Sequence, residues 1–393
     1  MRGLSSIICT LLFGMTLFSC STEQDEYSLD YFNQKYGISE DTTQTVVVSD
    51  TLALAVEWNG LTATVTGETD SVTITQGATL ADIIISTETS RFMEITLTGE
   101  ATDGSLLVYA LNSWGLVLNG VSLTNEDGPA INNQGGKWLY VTLADDTENH
   151  LTDGATWADA PFNAQKKQID QKGTLFSEGQ MHFSGSGKLY VSAIGKNGIA
   201  CDDYVVFDNG DVTIDVATTG ANGLKVNDGL TINDGTLGIT VLSAGGRGIK
   251  DDSYLNIAGG TTTISTKGGC KVETVDGVRD TTSAAGIKCD SLFTMTAGQL
   301  TITSTGDGGK GINCSEEMHF KGGTLKVNAT GTEKLAKPKG VKSDKQIVIS
   351  GGHFESASSK SKACDSGGED TPVIQGTPKT KSLDKRKVVV IYE

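Results

Sequence analysis

An all-β solenoid, a parallel β-helix with three short strands in each coil of ~25 residues, is the fold class this sequence predicts. Three observations carry that prediction. First, one phrase returns through residues 198–366. It reads Gly198-Ile199-Ala200-Cys201-Asp202, Gly223-Leu224-Lys225-Val226-Asn227, Gly248-Ile249-Lys250-Asp251-Asp252, Gly286-Ile287-Lys288-Cys289-Asp290, Gly311-Ile312-Asn313-Cys314-Ser315 and Gly340-Val341-Lys342-Ser343-Asp344. A weaker copy, Ala363-Cys364-Asp365, closes the run. The anchor glycines are separated by 25, 25, 38, 25 and 29 residues, and a repeating interval of this size marks a solenoid. Second, apolar pairs such as Leu230/Ile232 and Leu237/Ile239 follow the anchors with a period of two, as half-buried strands do. Third, glycine stands twelve residues past every anchor, at Gly210, Gly235, Gly260, Gly298, Gly323 and Gly352. A corner there calls for positive φ, which glycine reaches without strain. Equivalent strands then pair in parallel about 4.8 Å apart, and their apolar columns stack into one core. A propeller would need roughly 40 residues and four strands per blade.

Taken in chain order, residues 1–20 read as an export signal, with Arg2 ahead of the apolar run from Ile7 to Phe18. Leu17-Phe18-Ser19-Cys20 resembles a bacterial lipobox, so Cys20 is the predicted lipidation site. The expected location is the bacterial outer membrane, facing the cell surface, with the lipid as the sole membrane contact. Residues 21–45 are polar, acidic at their start and unpatterned, the composition of a flexible tether. Residues 46–197 hold irregular coils, with strand-like runs such as Leu61 to Val65, Ile83 to Ile85 and Leu139 to Leu143. Residues 198–366 hold the regular coils, and in 367–393 the run Lys387 to Tyr392 reads as a cap strand.

Charge narrows the partners. A formal net charge of −17 argues against nucleic acid and against electrostatic docking on an anionic membrane, while suiting divalent cations. A monomer is expected. Within the phrase, glycine turns the coil, isoleucine and the third-position cysteines Cys201, Cys289, Cys314 and Cys364 fill the interior, and lysines and acids face water. Cys270, in an insertion, is the cysteine expected to be accessible.

The exposed acids sit four past the anchor (Asp202, Asn227, Asp252, Asp290, Ser315, Asp344, Asp365), with Asp203, Asp228, Asp251 and Glu316 crowding the next corner. Oxygen-rich corners suit calcium, for which Asp202, Asp203, Asp251, Asp252, Asp276 and Asp290 are the candidate ligands. The insertion 268–285, with Glu273, Asp276 and Asp280, would close such a site. A ladder of Lys–Asp salt bridges explains the same pattern equally well. Lysine beside metal-binding aspartate is also what a calcium-dependent polysaccharide lyase of the pectate type needs, since the metal acidifies a uronate and a neutral base removes its proton. Copying of the repeat produces such columns without catalysis, however, and no lysine is singled out. The sequence therefore leans away from an enzyme, and no catalytic residue is assigned. Trp138 and Tyr140 alternate with Leu139, Val141 and Leu143, which places both rings on one outer face, suited to stacking on sugars. With Lys250 and Lys288 they are the candidate carbohydrate-binding residues.

The repeated G-I-K-x-D phrase followed by Gly-Gly and a T-I-T-type strand resembles the bacterial carbohydrate-binding β-helix family related to polysaccharide lyases. Leu118-Asn119-Gly120-Val121-Ser122-Leu123, Asn149-His150-Leu151-Thr152-Asp153-Gly154 and Phe183-Ser184-Gly185-Ser186-Gly187-Lys188-Leu189 are similar to that family's pattern too. The resemblance spans roughly residues 60–366. It implies a right-handed β-helix that binds calcium and adheres to plant polysaccharide, cellulose or acidic sugars such as polygalacturonate, without established lyase activity. A structural or adhesive surface protein with protein partners is the remaining reading.

Overall fold

The computed structural model describes residues 50–275 and 277–393, and all regular elements among them are strands. They wind into a β-helix of about twelve turns. Cys20 and Asp276 lie outside the described residues, as do the predicted signal and the whole of the tether.

One face is a 12-stranded sheet, here called the anchor sheet, because it is built from the repeated phrase. Its strands run parallel in chain order from Asp82–Thr87 to Cys364–Ser366. A 23-stranded sheet forms the other two faces. In the later coils those faces are separate columns, for example Gly229–Ile232 on the middle face and Thr236–Val241 on the third. They join in the first coils because Phe92–Ala101 and Trp114–Asn125 run through the corner. Residues 114–118 pair with Leu139–Leu143, while 122–125 pair within Glu148–Asp153.

The core follows from register. Ile199, Leu224, Ile249, Ile287, Ile312 and Val341 are successive partners, and each is fully buried. The corner glycines behave as expected, with φ between 66° at Gly260 and 109° at Gly210. They also stack: a Cβ on Gly235 would lie 2.6 Å from the Gly210 carbonyl oxygen, and one on Gly323 would lie 2.6 Å from that of Gly298.

The anchor glycines do something else, which corrects the expectation that they turn the coil. Gly248, Gly286 and Gly311 lie inside strands, and no anchor glycine has positive φ. Their missing side chains make room for the third strand. A Cβ would meet Ile214 Cγ2 at 2.4 Å from Gly198, Ile264 Cγ2 at 2.3 Å from Gly248 and Ile302 Cγ2 at 2.3 Å from Gly286. The interior is thin at this point, so the isoleucine sixteen residues on takes the volume a side chain would fill.

Register also corrects three placements. Cys364 pairs with Val341, in the isoleucine column, and not with the third-position cysteines. Asp365 consequently pairs with Lys342 and stands in the lysine column, not the acidic one. Asp251 pairs with Val226 and Cys289 and is fully buried, so it lines the interior and not the outer corner.

The solenoid's ends reverse direction. Thr62–Gly67 runs antiparallel to Thr51–Gly60, and Thr73–Gln76 runs antiparallel to Asp82–Thr87. At the other end Lys387–Ile391 lies antiparallel on His353–Ser358 and buries Val388 and Val390.

Candidate functional site

Two outer faces carry candidate residues, and the structure separates what the sequence grouped. Trp138 and Tyr140 belong to the middle face; Lys250 and Lys288 belong to the anchor sheet.

On the middle face, Leu139, Val141 and Leu143 point inward and are fully buried, leaving Trp138 and Tyr140 half-buried outside. Their rings stack with centroids 6.1 Å apart and planes 25° off parallel. Phe92 joins Tyr140 at 6.1 Å, and the His182 ring meets Tyr140 edge-on at 5.7 Å. Gly115 makes this patch continuous: it pairs with Tyr140, and its absent Cβ would lie 3.1 Å from the Phe92 ring. His182 Nε2 lies 2.6 Å from Asp208 Oδ2, and Asn233 Nδ2 donates to Asp208 Oδ1 at 2.7 Å. Burial raises the Asp208 pKa, but the His182 and Asn233 hydrogen bonds outweigh it and hold the carboxyl below its ordinary range. The result is a row of rings ending in a polar, anchored imidazole. Phe92 and His182 were not found from the sequence, because unequal coil lengths hide their register with Tyr140.

On the anchor sheet, each lysine pairs with the acid two residues on: Lys250 with Asp252, Lys288 with Asp290 and Lys342 with Asp344. Lys225 has Asn227 at that position and reaches Asp252 of the next coil at 2.5 Å. Burial pushes the Asp252 pKa up, yet hydrogen bonds from Lys225 and Lys250 bring it below the usual carboxylate range. Asp203 accepts from Gln180, and Asn227 Nδ2 donates to Asp202 at 3.1 Å. Glu273 pairs with Lys271 at 2.6 Å on the hairpin Lys271–Val275/Val278–Thr282, and Asp280 accepts from the Thr281 amide at 2.7 Å.

Among the described residues, Asp202 is the one predicted calcium ligand that the structure brings into a compact acidic group, with Asp170 and Glu178. One oxygen of each lies within 4.8 Å of the others. Burial and the charges of Asp202 and Asp170 raise the Glu178 pKa. Lys172 bridges Asp170, at 2.8 Å, and Asp202. Three carboxylates suit a hard divalent cation, for which Lys172 would have to swing aside.

Asp251 has a different role. Oδ1 accepts from the Ser253 amide at 2.6 Å, and Oδ2 has no hydrogen-bond partner. Burial holds its pKa well above the usual carboxylate range. Column mates are donors to corner carbonyls: Cys289 Sγ to Ser253 O at 3.1 Å, Cys314 Sγ to Ser291 O at 2.8 Å and Ser343 Oγ to Glu316 O at 2.5 Å.

The family model for carbohydrate-binding domain-containing proteins matches residues 68–249 and 238–333. A solved structure, described as the polysaccharide lyase-like protein from C. thermocellum in a gadolinium derivative, superposes with a TM-score of 0.51. It is 22% identical and covers 72% of this chain and 98% of its own. No curated protein matches the chain.

Proposed function

We propose, for a chain that belongs to the carbohydrate-binding domain family, that the Phe92–Trp138–Tyr140–His182 row captures plant-type polysaccharide by ring stacking, without catalysis. The observation that carries this reading is the continuity of the row across successive coils on one solvent-facing side. Aromatic faces present apolar area at low conformational cost, and sugar rings have matching apolar faces. His182, steadied by Asp208, supplies a polar contact at the row's end.

Calcium support belongs to the same proposal. Asp170, Glu178 and Asp202 would hold the ion and so tie the loop ahead of Gly173 to the coil of Asp202; the ion supplies charge neutralisation there. The Lys–Asp ladder favours salt bridging as the role of Asp252 and Asp290. Cell-surface anchoring through Cys20 completes the reading and rests on the sequence. Lys250 and Lys288, each tied to an aspartate, are poorly placed to act as the neutral base of a lyase.

Retention on insoluble cellulose and on pectin, with and without chelator, tests the proposal. The double variant Trp138→Ala/Tyr140→Ala should lose about tenfold or more in affinity for cellulose, the worth of two stacked rings. Equal retention of variant and parent would sink the stacking row as the binding face. Chelator should lower the melting temperature, and an unchanged value would leave the acids as salt-bridge partners alone.

A further inference from the structure

Most cations of the anchor-sheet face are neutralised. Lys172, Lys225, Lys250, Lys288, Lys339, Lys342 and Lys362 all pair with aspartates. Arg247 and Lys310 are different: among the described residues neither side chain is hydrogen-bonded to an anion, although the Asp252 and Asp290 charges reach Arg247 from farther off, in a chain of net charge −17. Both occupy the position just before an anchor glycine. Arg247 pairs with Ala285, and Ala285 pairs with Lys310, so their backbones stand about 10 Å apart, two strand spacings. Ala285, almost fully buried, leaves a low floor between them.

The surroundings are built rather than open. The hairpin 271–282 is inserted immediately ahead of Ala285, and its Lys271 and Thr282 pack on Gly245. Cys270 joins the hairpin's base to the next coil through its amide, which donates to Asp307 O at 3.0 Å. Asp307 in turn accepts from Lys334 N at 2.7 Å and Leu335 N at 2.9 Å, fixing the loop that follows. Cys270, at the hairpin's base, lies near enough to Lys310 to act on its charge, so this base borders the Lys310 side chain.

We propose that Arg247 and Lys310, across the Ala285 floor, form an oxyanion subsite that takes a carboxylate or sulfate ester carried by a glycan chain. Burial disfavours both charges; Asp290 and Asp252 attract Arg247 without hydrogen-bonding it and offset only part of that cost, so an oxyanion arriving between the two cations is stabilising. Arg247 offers a planar fork of donors and Lys310 a compact charge, a pair suited to fixing one oxyanion from two sides. The site depends on the carbohydrate-binding reading only for the identity of the carrier, and it lies on a different face from the aromatic row.

Lys310 also gives the subsite a pH signature. Burial, then Lys342 and Lys339, draw its pKa down to about 8; Cys270 opposes this, and Arg247 adds to it. Anion binding therefore weakens as pH rises through that value, and a bound anion shifts the titration upward.

The test uses trigalacturonate, its fully methyl-esterified form and inorganic sulfate as probes of the intact protein. Trigalacturonate should slow acetylation of Lys310 by acetic anhydride several-fold, read by peptide mass spectrometry, while the uncharged ester should not. Lys310→Met and Arg247→Met should each weaken trigalacturonate binding roughly tenfold at pH 7, the worth of one charge-assisted hydrogen bond. Lys310→Arg should keep the affinity and abolish its decline near pH 8, a result that mere structural damage would not produce. Unchanged affinity in both Met variants, or no protection of Lys310, overturns the subsite. Protection by sulfate without protection by trigalacturonate overturns the glycan carboxylate as the ligand. Cellulose retention by Lys310→Met separates the two readings: it should persist, because it rests on the aromatic row.

Discussion

The same column of the anchor sheet is written in two chemistries. In the early coils its outward positions read Ile84, Leu107, Asn132, Phe176 and Ala200; in the later coils they read Lys225, Lys250, Lys288, Asn313 and Lys342. The difference tracks what covers the sheet. The loop between Asp153 and Gly173 lies over the early strands, and Ile84, Leu107, Tyr109, Pro161 and Phe162 line one cleft between loop and sheet. The later strands carry no such cover and expose a ladder of ion pairs. One backbone plan thus tolerates either an apolar face with a lid or a charged face in water, because the interior columns carry the stability. Irregular coils are also where recognition by ring stacking is proposed to sit, since breaking the copy allows rings to gather on one side.

This contrast can be broken most strongly at the shared interior. Gly248→Ala should destabilise the fold by about 2–3 kcal/mol in urea titration, because the methyl group meets both Ile264 and the Gly286 carbonyl. Gly136→Ala, in the early half with nothing within 4 Å of its Cβ, should be near neutral. Comparable losses at the two positions would show that the anchor glycines have no special packing role.

Asp251 gives an intermediate effect with a definite sign. Its folded pKa is raised, so the native state binds a proton that the unfolded chain has released above about pH 4. Its contribution is present below the unfolded pKa and is lost as pH climbs toward the folded one. Asp251→Asn should therefore be more stable than the parent at pH 7, with the gain shrinking toward pH 4. Asp252 and Asp365, whose pKa values are lowered, act in the opposite sense and lose stability as the pH falls. A melting profile of Asp251→Asn that parallels the parent from pH 4 to 7 would refute a neutral buried acid.

The smallest effect is expected outside. Lys342→Met removes an exposed pair with Asp344 and should cost under about 1 kcal/mol, less at high salt. A larger, salt-resistant loss would mean that the ladder acts as a coupled network.

How much of this was legible in the sequence depends on whether a feature is local. Strand positions and corner glycines were readable, because a period of two and a φ requirement act within a few residues. The role of the anchor glycine was not, since its reason is an isoleucine sixteen residues away across the interior. Asp251 had a usable signal: it stands three past Gly248, where Cys201 stands three past Gly198, and alternation alone places both inside. Asp365 was misplaced because its coil lacks the anchor glycine that sets the count. Trp138 and Tyr140 were placed on one face by alternation, but Phe92 and His182 join them only through pairing between coils of unequal length. Arg247 and Lys310 occupy a column one residue before the phrase, visible in the sequence once the phrase is extended backwards.

The reversed strands at both ends have a consequence for scale. A parallel stack can be lengthened by any matching copy, whereas an antiparallel terminal strand presents the wrong hydrogen-bond pattern to the next coil. Extension of the stack by a further parallel coil is thereby disfavoured at those edges. Were the chain anchored at a surface as proposed, a long polymer would be gripped by many copies at once, where tethering raises effective concentration and weak contacts multiply into firm attachment.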